Sequence, residues 1–184
     1  MRDLSLHILD LVQNAVAAGG KNISLLIEED EKKDFLTIAV KDDGKGMTPD
    51  FAAKVKDPFA TTRTTRKVGL GLPLIDMTAE RAGGRLDIAS RPGRGTTVTA
   101  VYRLSHIDRP PLGDIAATVK IIAAGCQGIF FRYEHRKGRN VFVLDTKQMR
   151  EILGEEVDFG ESAVMEWLDG FLREGLLALD KTEG

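Results

Sequence analysis

Apolar side chains recur at intervals of three and four positions along the first twenty residues of the chain. The residues of this stripe are Leu4, Ile8, Leu11, Val12 and Ala15. Such spacing predicts an amphipathic helix with one face towards a core. Asp3 is suited to capping the start of this helix, and Gly19 and Gly20 favour an end in the left-handed conformation. We therefore predict a helix over residues 3–18.

Downstream of this helix, apolar and polar residues alternate in the manner of β-strands. This alternation predicts four strands, at residues 22–28, 35–41, 85–90 and 96–104. A second helix is predicted at residues 69–84, with Pro73 in its first turn. The segment 50–68 shows no periodicity and is basic, so we predict irregular structure there. The pattern favours an α+β sandwich with helices on one face of a mixed, mostly antiparallel sheet.

The remainder of the chain predicts a second, smaller unit. Consecutive prolines at 110 and 111 exclude a helix there, so residues 105–114 are predicted to be a linker. The elements expected beyond it are a helix near 114–124, a hairpin around Arg-Lys-Gly-Arg at 136–139, and helices near 146–154 and 161–179. We therefore predict one domain at residues 1–104 and a small α+β domain at residues 105–184.

Composition limits the class of protein without indicating a task. Of the 184 residues, 42% are hydrophobic and 29% are charged, and the formal net charge is −2. These values are ordinary for a soluble globular protein. No apolar run approaches the roughly 18 residues of a membrane span, and no secretory signal pattern is present. We therefore expect a cytoplasmic protein without a membrane partner. The single cysteine, Cys126, excludes a disulfide within the chain.

The first helix carries polar residues that interrupt its apolar stripe. Asp10 and Asn14 are four positions apart and share a face, with His7 one turn earlier. An asparagine amide oxygen is a suitable ligand for Mg²⁺, and a nearby carboxylate can position or deprotonate a water molecule. The alternative is a solvated polar face on a surface helix.

Two glycine-containing segments offer further candidate chemistry. Asp42 ends an apolar strand and is followed by Gly44 and Gly46, so its carboxylate could accept a hydrogen bond from an exocyclic amine such as that of adenine. Asp-Gly is also a common hairpin turn, which is the alternative interpretation. Glycines at 69 and 71 open the second helix, where free N–H groups favour an anion.

Between these two segments lies a basic stretch that includes Arg63, Arg66 and Lys67. Its length and low apolar content are typical of a mobile lid. The alternatives are a solvated charge run or a contact with nucleic acid. The stretch has no interleaved aromatic residues, and the chain is acidic overall, so we expect no nucleic-acid partner.

Taken in order, these elements resemble the GHKL superfamily of ATP-binding proteins, which includes DNA gyrase, histidine kinases and MutL. The matching elements are Asn14 in a helix, Asp-x-Gly-x-Gly at 42–46, Pro-Phe-x-Thr-Thr at 58–62, Gly-x-Gly-Leu at 69–72, and Gly-Thr-Thr at 95–97. The match covers residues 4–104 and implies the Bergerat α/β sandwich.

The resemblance also implies roles for individual residues. Asn14 corresponds to the Mg²⁺-binding asparagine, and Asp42 corresponds to the adenine-contacting aspartate. Other positions implied to contact ATP are Gly44, Gly46 and Met47 at the base, Phe59, Thr61 and Thr62 at the base of the lid, Gly69, Gly71 and Leu72 at the phosphates, and Thr96 or Thr97 beside the aspartate. The implied cofactors are ATP and Mg²⁺.

The sequence departs from the superfamily in ways that bear on the reaction, including Ala17 where histidine kinases commonly have a basic residue. Members that hydrolyse ATP have a glutamate as general base four residues before the asparagine, where this chain has the shorter Asp10. Only thirteen residues precede Asn14, so we expect no phosphoacceptor helix pair upstream and no autophosphorylating sensor kinase.

Three functions are compatible with this pattern. The first is a kinase module that phosphorylates a separate protein, with Arg63, Arg66 and Lys67 neutralising phosphate charge. The second is an ATP-driven switch or slow ATPase, with Asp10 as base. The third is a non-catalytic, nucleotide-sensing subunit of a larger complex. In each case a protein partner is expected.

The last predicted helix is a candidate contact surface. Its apolar residues are Val164, Trp167, Leu168, Phe171, Leu172 and Leu176. They would either pack against the rest of the chain or form a face for a partner, including a second copy in a homodimer.

Overall fold

A computed structural model describes residues 3–57 and 71–181 of the chain. The helices are α1 (Leu4–Ala17), α2 (Pro49–Lys54), α3 (Gly71–Arg81), α4 (Ile115–Gly125), α5 (Thr146–Leu153) and α6 (Ser162–Leu179). The strands are β1 (Asn22–Asp30), β2 (Phe35–Asp42), β3 (Arg85–Arg91), β4 (Gly95–Arg103), β5 (Phe130–Lys137) and β6 (Asn140–Asp145).

The strands form one six-stranded sheet in the order β3-β4-β2-β1-β5-β6. Every neighbouring pair is antiparallel except β1 and β5, which are parallel and align Asn22 with Phe130. The sheet is therefore mixed and mostly antiparallel, and the predicted α+β class is confirmed.

One face of the sheet is buried beneath the helices. In β2 the side chains of Leu36, Ile38, Val40 and Asp42 are all buried, because alternate residues of a strand point to the same side. The helical stripe of α1 packs into the same core, where Leu4 and Ile8 have no exposed surface. Buried residues of α3, α4 and α6 belong to this core as well.

The ends of α1 follow the signals in its sequence. The Asp3 carboxylate caps the helix by accepting a hydrogen bond from the backbone N–H of Leu6 at 3.2 Å. Gly19 has a φ of +80°, in the left-handed region that ends helices. The predicted first helix is confirmed with bounds shifted by one residue.

The segment predicted to be irregular from residue 50 contains the short helix α2. Thr48 caps its start, since the Thr48 hydroxyl accepts a hydrogen bond from the N–H of Phe51 at 3.4 Å, and Pro49 occupies the first helical position. None of the six residues of α2 is fully buried, so the hydrophobic periodicity that marks longer helices is absent. The prediction was wrong for this stretch.

The C-terminal hairpin of β5 and β6 extends the sheet through β1. Leu168 and Leu172 of α6 have no exposed surface and share the core with Leu4 and Ile8 of α1. The boundary placed at residue 104 stays a prediction. Within the two described ranges, no helix combines the length and the apolar content needed to cross a membrane.

Candidate functional site

A cavity of about 390 Å³ opens beside the end of β2, between α1, α2 and the start of α3. Its polar lining comes from Asp10, Asn14, Asp42, Lys45, Thr48 and Thr96. Its apolar lining includes Leu11, Ala15, Val40, Met47, Phe51, Val55, Leu72 and Val98. The cavity therefore combines apolar surface with acidic, amide and hydroxyl groups.

Asp42 is a buried carboxylate in this cavity. It is 7% exposed, and its Oδ1 accepts a hydrogen bond from the backbone N–H of Gly44 at 2.8 Å. Burial raises the pKa of Asp42 above its usual value, and backbone hydrogen bonds from Gly44 and Thr96 oppose part of that rise. A carboxylate held in this way is a directed acceptor for a ligand N–H.

The loop after Asp42 is fastened from both sides. Asp43 accepts hydrogen bonds from the backbone N–H groups of Lys21 and Asn22 at 2.7 and 2.9 Å. Gly46 has a φ of +65°, and a side chain there would collide with the carbonyl of Arg91. This close approach requires glycine and holds the loop against the turn after β3.

Asp10 and Asn14 meet on the cavity face of α1. The Asn14 Nδ2 donates to the Asp10 Oδ2 at 3.4 Å, which orients the amide along the helix. The Asp10 carboxylate also lies against the Cα of Gly71, so a side chain at position 71 would overlap it. Asp10 is thus placed at the N-terminus of α3, where the helix dipole favours negative charge.

The sheet register separates the two candidate threonines. Thr96 is aligned with Asp42 across the β2–β4 pair and lines the cavity, where its hydroxyl lies 2.9 Å from that of Ser90. Thr97 is aligned with Lys41 and lies on the opposite face of the sheet. Of the two, Thr96 is the residue beside the aspartate.

The structure brings together several of the other predicted site residues. Gly46, Met47, Gly71 and Leu72 line the cavity, whereas Gly44 is not a lining residue and contacts Asp42 through its backbone N–H. The remaining predicted positions lie outside the described residues: Phe59, Thr61, Thr62, Arg63, Arg66, Lys67 and Gly69. Their roles stay predictions, as do the roles assigned to the residues in the cavity.

The sequence reasoning did not assign to the site the wall of the cavity formed by Lys45 and the α2 region. Lys45 lies inside the predicted glycine turn, and Thr48, Phe51 and Val55 belong to α2 or its ends. A cap residue followed by proline at 48–49 and apolar residues four apart at 51 and 55 were the signals that could have found this wall.

The described part of the cavity holds no cluster of side chains typical of a metal site. Among the residues that the structure describes, no three His, Cys, Asp or Glu side chains are grouped to hold a metal ion. No histidine of the part of the chain that the structure describes lines the cavity. His7 lies on the buried side of α1 and is 3% exposed, and this burial lowers the pKa of its imidazole.

Comparisons with known proteins agree with this geometry. Residues 2–106 match the family model of the histidine kinase-, DNA gyrase B- and HSP90-like ATPases. This match includes α1, the loop after β2, α3 and the strands β1–β4, and so covers more than half of the chain.

Several sensor kinases are similar over the same part of the chain. Sensor protein kinase FleS of Pseudomonas aeruginosa is 40% identical over 108 residues, which are 59% of this chain and 26% of that protein. Sensor histidine kinase ZraS of Escherichia coli is 30% identical over 106 residues, 58% of this chain and 23% of that protein. The chain thus spans about a quarter of the length of these relatives.

Among solved structures, the N-terminal domain of a DNA repair protein matches with a TM-score of 0.49 and 16% identity. The match covers 79% of this chain and 53% of that chain.

Proposed function

The chain belongs to the histidine kinase-, DNA gyrase B- and HSP90-like ATPase family, whose domain binds ATP, and we propose that it is a Mg²⁺-ATP-dependent kinase module that phosphorylates a separate protein. One observation carries the proposal: a single cavity contains the carboxylate of Asp42, the amide of Asn14 and the N-terminus of α3. Magnesium, the transfer step and the partner are the parts that go beyond ATP binding.

The adenine ring of ATP fits the end of the cavity at Asp42. The buried carboxylate would accept a hydrogen bond from the exocyclic amine, while Met47 and Val98 contribute apolar surface to the faces of the ring. An apolar pocket with one directed acceptor suits a flat heterocycle that carries a single amine.

The phosphates fit the opposite end, between α1 and α3. Backbone N–H groups at the start of α3 suit anionic oxygens. The Asn14 amide oxygen is a ligand of the type that Mg²⁺ accepts together with phosphate oxygens. When bound, Mg²⁺ would neutralise charge on the phosphates. Mg²⁺ in nucleotide sites commonly keeps phosphate oxygens and waters as its other ligands.

Transfer of the phosphoryl group to another protein is supported by the lack of a histidine acceptor among the described residues of the cavity. None of the three histidines, His7, His106 and His135, is a cavity residue, and His7 and His135 are buried elsewhere in the described core. In the proposed reaction the γ-phosphoryl group would leave the oxygen of ADP for a nitrogen or oxygen nucleophile that another protein brings to the cavity. The names of the sensor kinases that resemble this chain support the same reaction class.

Slow ATP hydrolysis is the second candidate, and the position of Asp10 favours it. Its carboxylate lies at the N-terminus of α3, where the terminal phosphate is expected, and could take a proton from an attacking water molecule. Aspartate is one methylene shorter than the glutamate of hydrolysing members, so we rank this activity below transfer.

Incubation of the purified chain with γ-labelled ATP, in the presence of proteins that co-purify with it, separates the two candidates. The proposal expects label on a partner protein, and this label should be lost in Asp42→Asn. Free labelled phosphate that disappears in Asp10→Ala would instead support the ATPase. If ATP affinity were unchanged in the double variant Asn14→Asp with Asp42→Asn, the cavity would not be the nucleotide site.

A further inference from the structure

The two edges of the sheet differ in how they are protected from pairing with other strands. The edge strand β3 carries charged residues at Arg85, Asp87 and Arg91. The other edge strand, β6, has the sequence Asn-Val-Phe-Val-Leu-Asp and contains one charge, at its last residue. Proteins commonly guard sheet edges with charges, prolines or bulges, because unpaired backbone groups there are templates for another strand. Residues 140–144 carry none of these charges or prolines.

The hairpin geometry determines which backbone groups of β6 face outward. Lys137 pairs with Asn140 across a two-residue turn, and His135 pairs with Phe142 two positions further on. In an antiparallel hairpin with such a turn, these pairs exchange hydrogen bonds and the alternate residues do not. The N–H and C=O groups of Val141 and Val143 therefore point away from β5. Since β6 is the last strand of the sheet, no strand of the described residues pairs with these outward groups.

We propose that β6 is a self-association edge, at which two copies of this chain pair antiparallel and join their sheets. The symmetry axis passes through Phe142, so that Phe142 faces its own counterpart. Val141 then lies opposite Val143 of the second copy, and these are the residues whose backbone groups point outward. Both copies use the same surface, as a closed two-fold dimer requires.

Charge complementarity selects this register. With Phe142 on the axis, Asn140 lies opposite Leu144 of the second copy, and Arg139, in the turn just before β6, comes near Asp145 of that copy. Arg139 is exposed and has no ion-pair partner among the described residues. Asp145 already accepts from Arg132 at 3.2 Å and caps α5 through the N–H groups of Lys147 and Gln148. Each copy therefore adds a cation next to a carboxylate, twice per dimer. A shift of two residues would place Val141 opposite Asp145 and lose this pairing.

The test is sedimentation of the full chain over a range of concentrations. The wild-type protein is expected to show a monomer–dimer equilibrium. Val141→Pro removes an outward N–H without removing a hydrogen bond of the hairpin, so it should leave a folded monomer. Val141→Thr keeps the β-branched shape and the backbone groups, and should remain dimeric. Arg139→Glu places two carboxylates opposite each other and should raise the dissociation constant about tenfold or more.

ATP binding reports whether each variant is folded, because Val141 and Arg139 lie outside the nucleotide cavity. If Val141→Pro does not fold, Val141→Lys serves in its place, since a lysine on the edge strand opposes pairing. A wild-type chain that is monomeric at every concentration would overturn the proposal. A dimer that persists in Val141→Pro and Val141→Lys but is lost in Trp167→Ser would also overturn the proposal, and would assign association to α6.

Discussion

The carboxylate of Asp10 on α1 lies against the Cα of Gly71, at the first residue of α3. The two residues are sixty-one positions apart in the chain, and their contact joins the helix that carries Asn14 to the helix at the phosphate end of the cavity. Position 71 has no space for a side chain while Asp10 keeps this place.

Gly71→Ala should displace the Asp10 carboxylate from the start of α3. Because the overlapping atoms belong to the end of a rotatable side chain, we expect a loss of folding free energy of about 1 kcal/mol, the low end for overpacking. We also expect weaker ATP binding and slower phosphate release or transfer. Gly170→Ala is the matched control, because a side chain at this position in α6 would meet no atom within 4 Å. That variant should gain about 0.5–1 kcal/mol as a helix-interior glycine is replaced. Thermal unfolding and ATP titration measure both, and equal ATP affinities in the two variants would contradict the role given to Gly71.

Asp42→Asn should weaken ATP binding without destabilising the unliganded protein. Burial raises the pKa of Asp42 in the folded state, so the charged carboxylate opposes folding at neutral pH. This penalty is largest above the folded pKa and disappears as the pH falls below the unfolded pKa. The neutral amide avoids the penalty, so the variant should be at least as stable as the wild type at pH 7, with the difference shrinking in acid. Denaturant titrations at several pH values test this, and a large loss of stability at pH 7 would contradict it.

Asp43 gives the opposite pH dependence. Hydrogen bonds from the Asn22 side chain and from the backbone of Asn22 and Lys21 lower its pKa from 3.8 to about 2. A depressed pKa in the folded state stabilises the protein above the unfolded value and loses that effect as the pH falls towards about 2. The wild type should therefore exceed Asp43→Ala in stability by a constant amount above about pH 4, and this margin should decrease at lower pH. A margin that grew on acidification would have the wrong sign.

Local patterns predicted the elements of this fold better than they predicted their partners. The alternation through Leu36, Ile38 and Val40 also places Asp42 on the buried face, so its burial was readable from the strand. The choice between Thr96 and Thr97 could not be made from the sequence, because it depends on the β2–β4 register. Similarly, the parallel pairing of β1 with β5 joins residues more than a hundred positions apart, and no local signal encodes it.

The cavity was predicted in part for the same reason. Asp10, Asn14 and Asp42 lie on elements with strong periodicity, and the structure brings these residues to one cavity. Phe51 and Val55 lie on or beside α2, which is six residues long and has no buried face of its own. Tertiary contacts stabilise such a short helix, so periodicity does not reveal it.

One of those tertiary contacts is made by Lys56 at the end of α2. Its ammonium group donates to the Asp76 carboxylate at 2.9 Å and to the carbonyl of Leu86 at 2.7 Å, which ties α2 to α3 and β3. Lys56→Met should cost about 1 kcal/mol, since the lysine side chain is 40% exposed and its ion pair is partly screened. We also expect ATP affinity to fall, because Phe51 and Val55 would move. Lys54→Met, at an exposed position of the same helix, is the control. Calorimetry should show that the stability and the ATP affinity of this variant are close to those of the wild type.

The boundary predicted at residue 104 is tested by shortening the chain. Removing residues 105–184 would take β5 from β1 and α4 from α1, exposing Leu4, Ile8 and one edge of a central strand. We therefore expect residues 1–104 alone to unfold at least about 10 °C below the full chain. As a control, a protease site inserted beside Ile107, which is 95% exposed, would cut the linker and leave both pieces in place. The cut chain should elute as one complex and keep its unfolding temperature. An undiminished unfolding temperature for residues 1–104 would instead establish an independent domain.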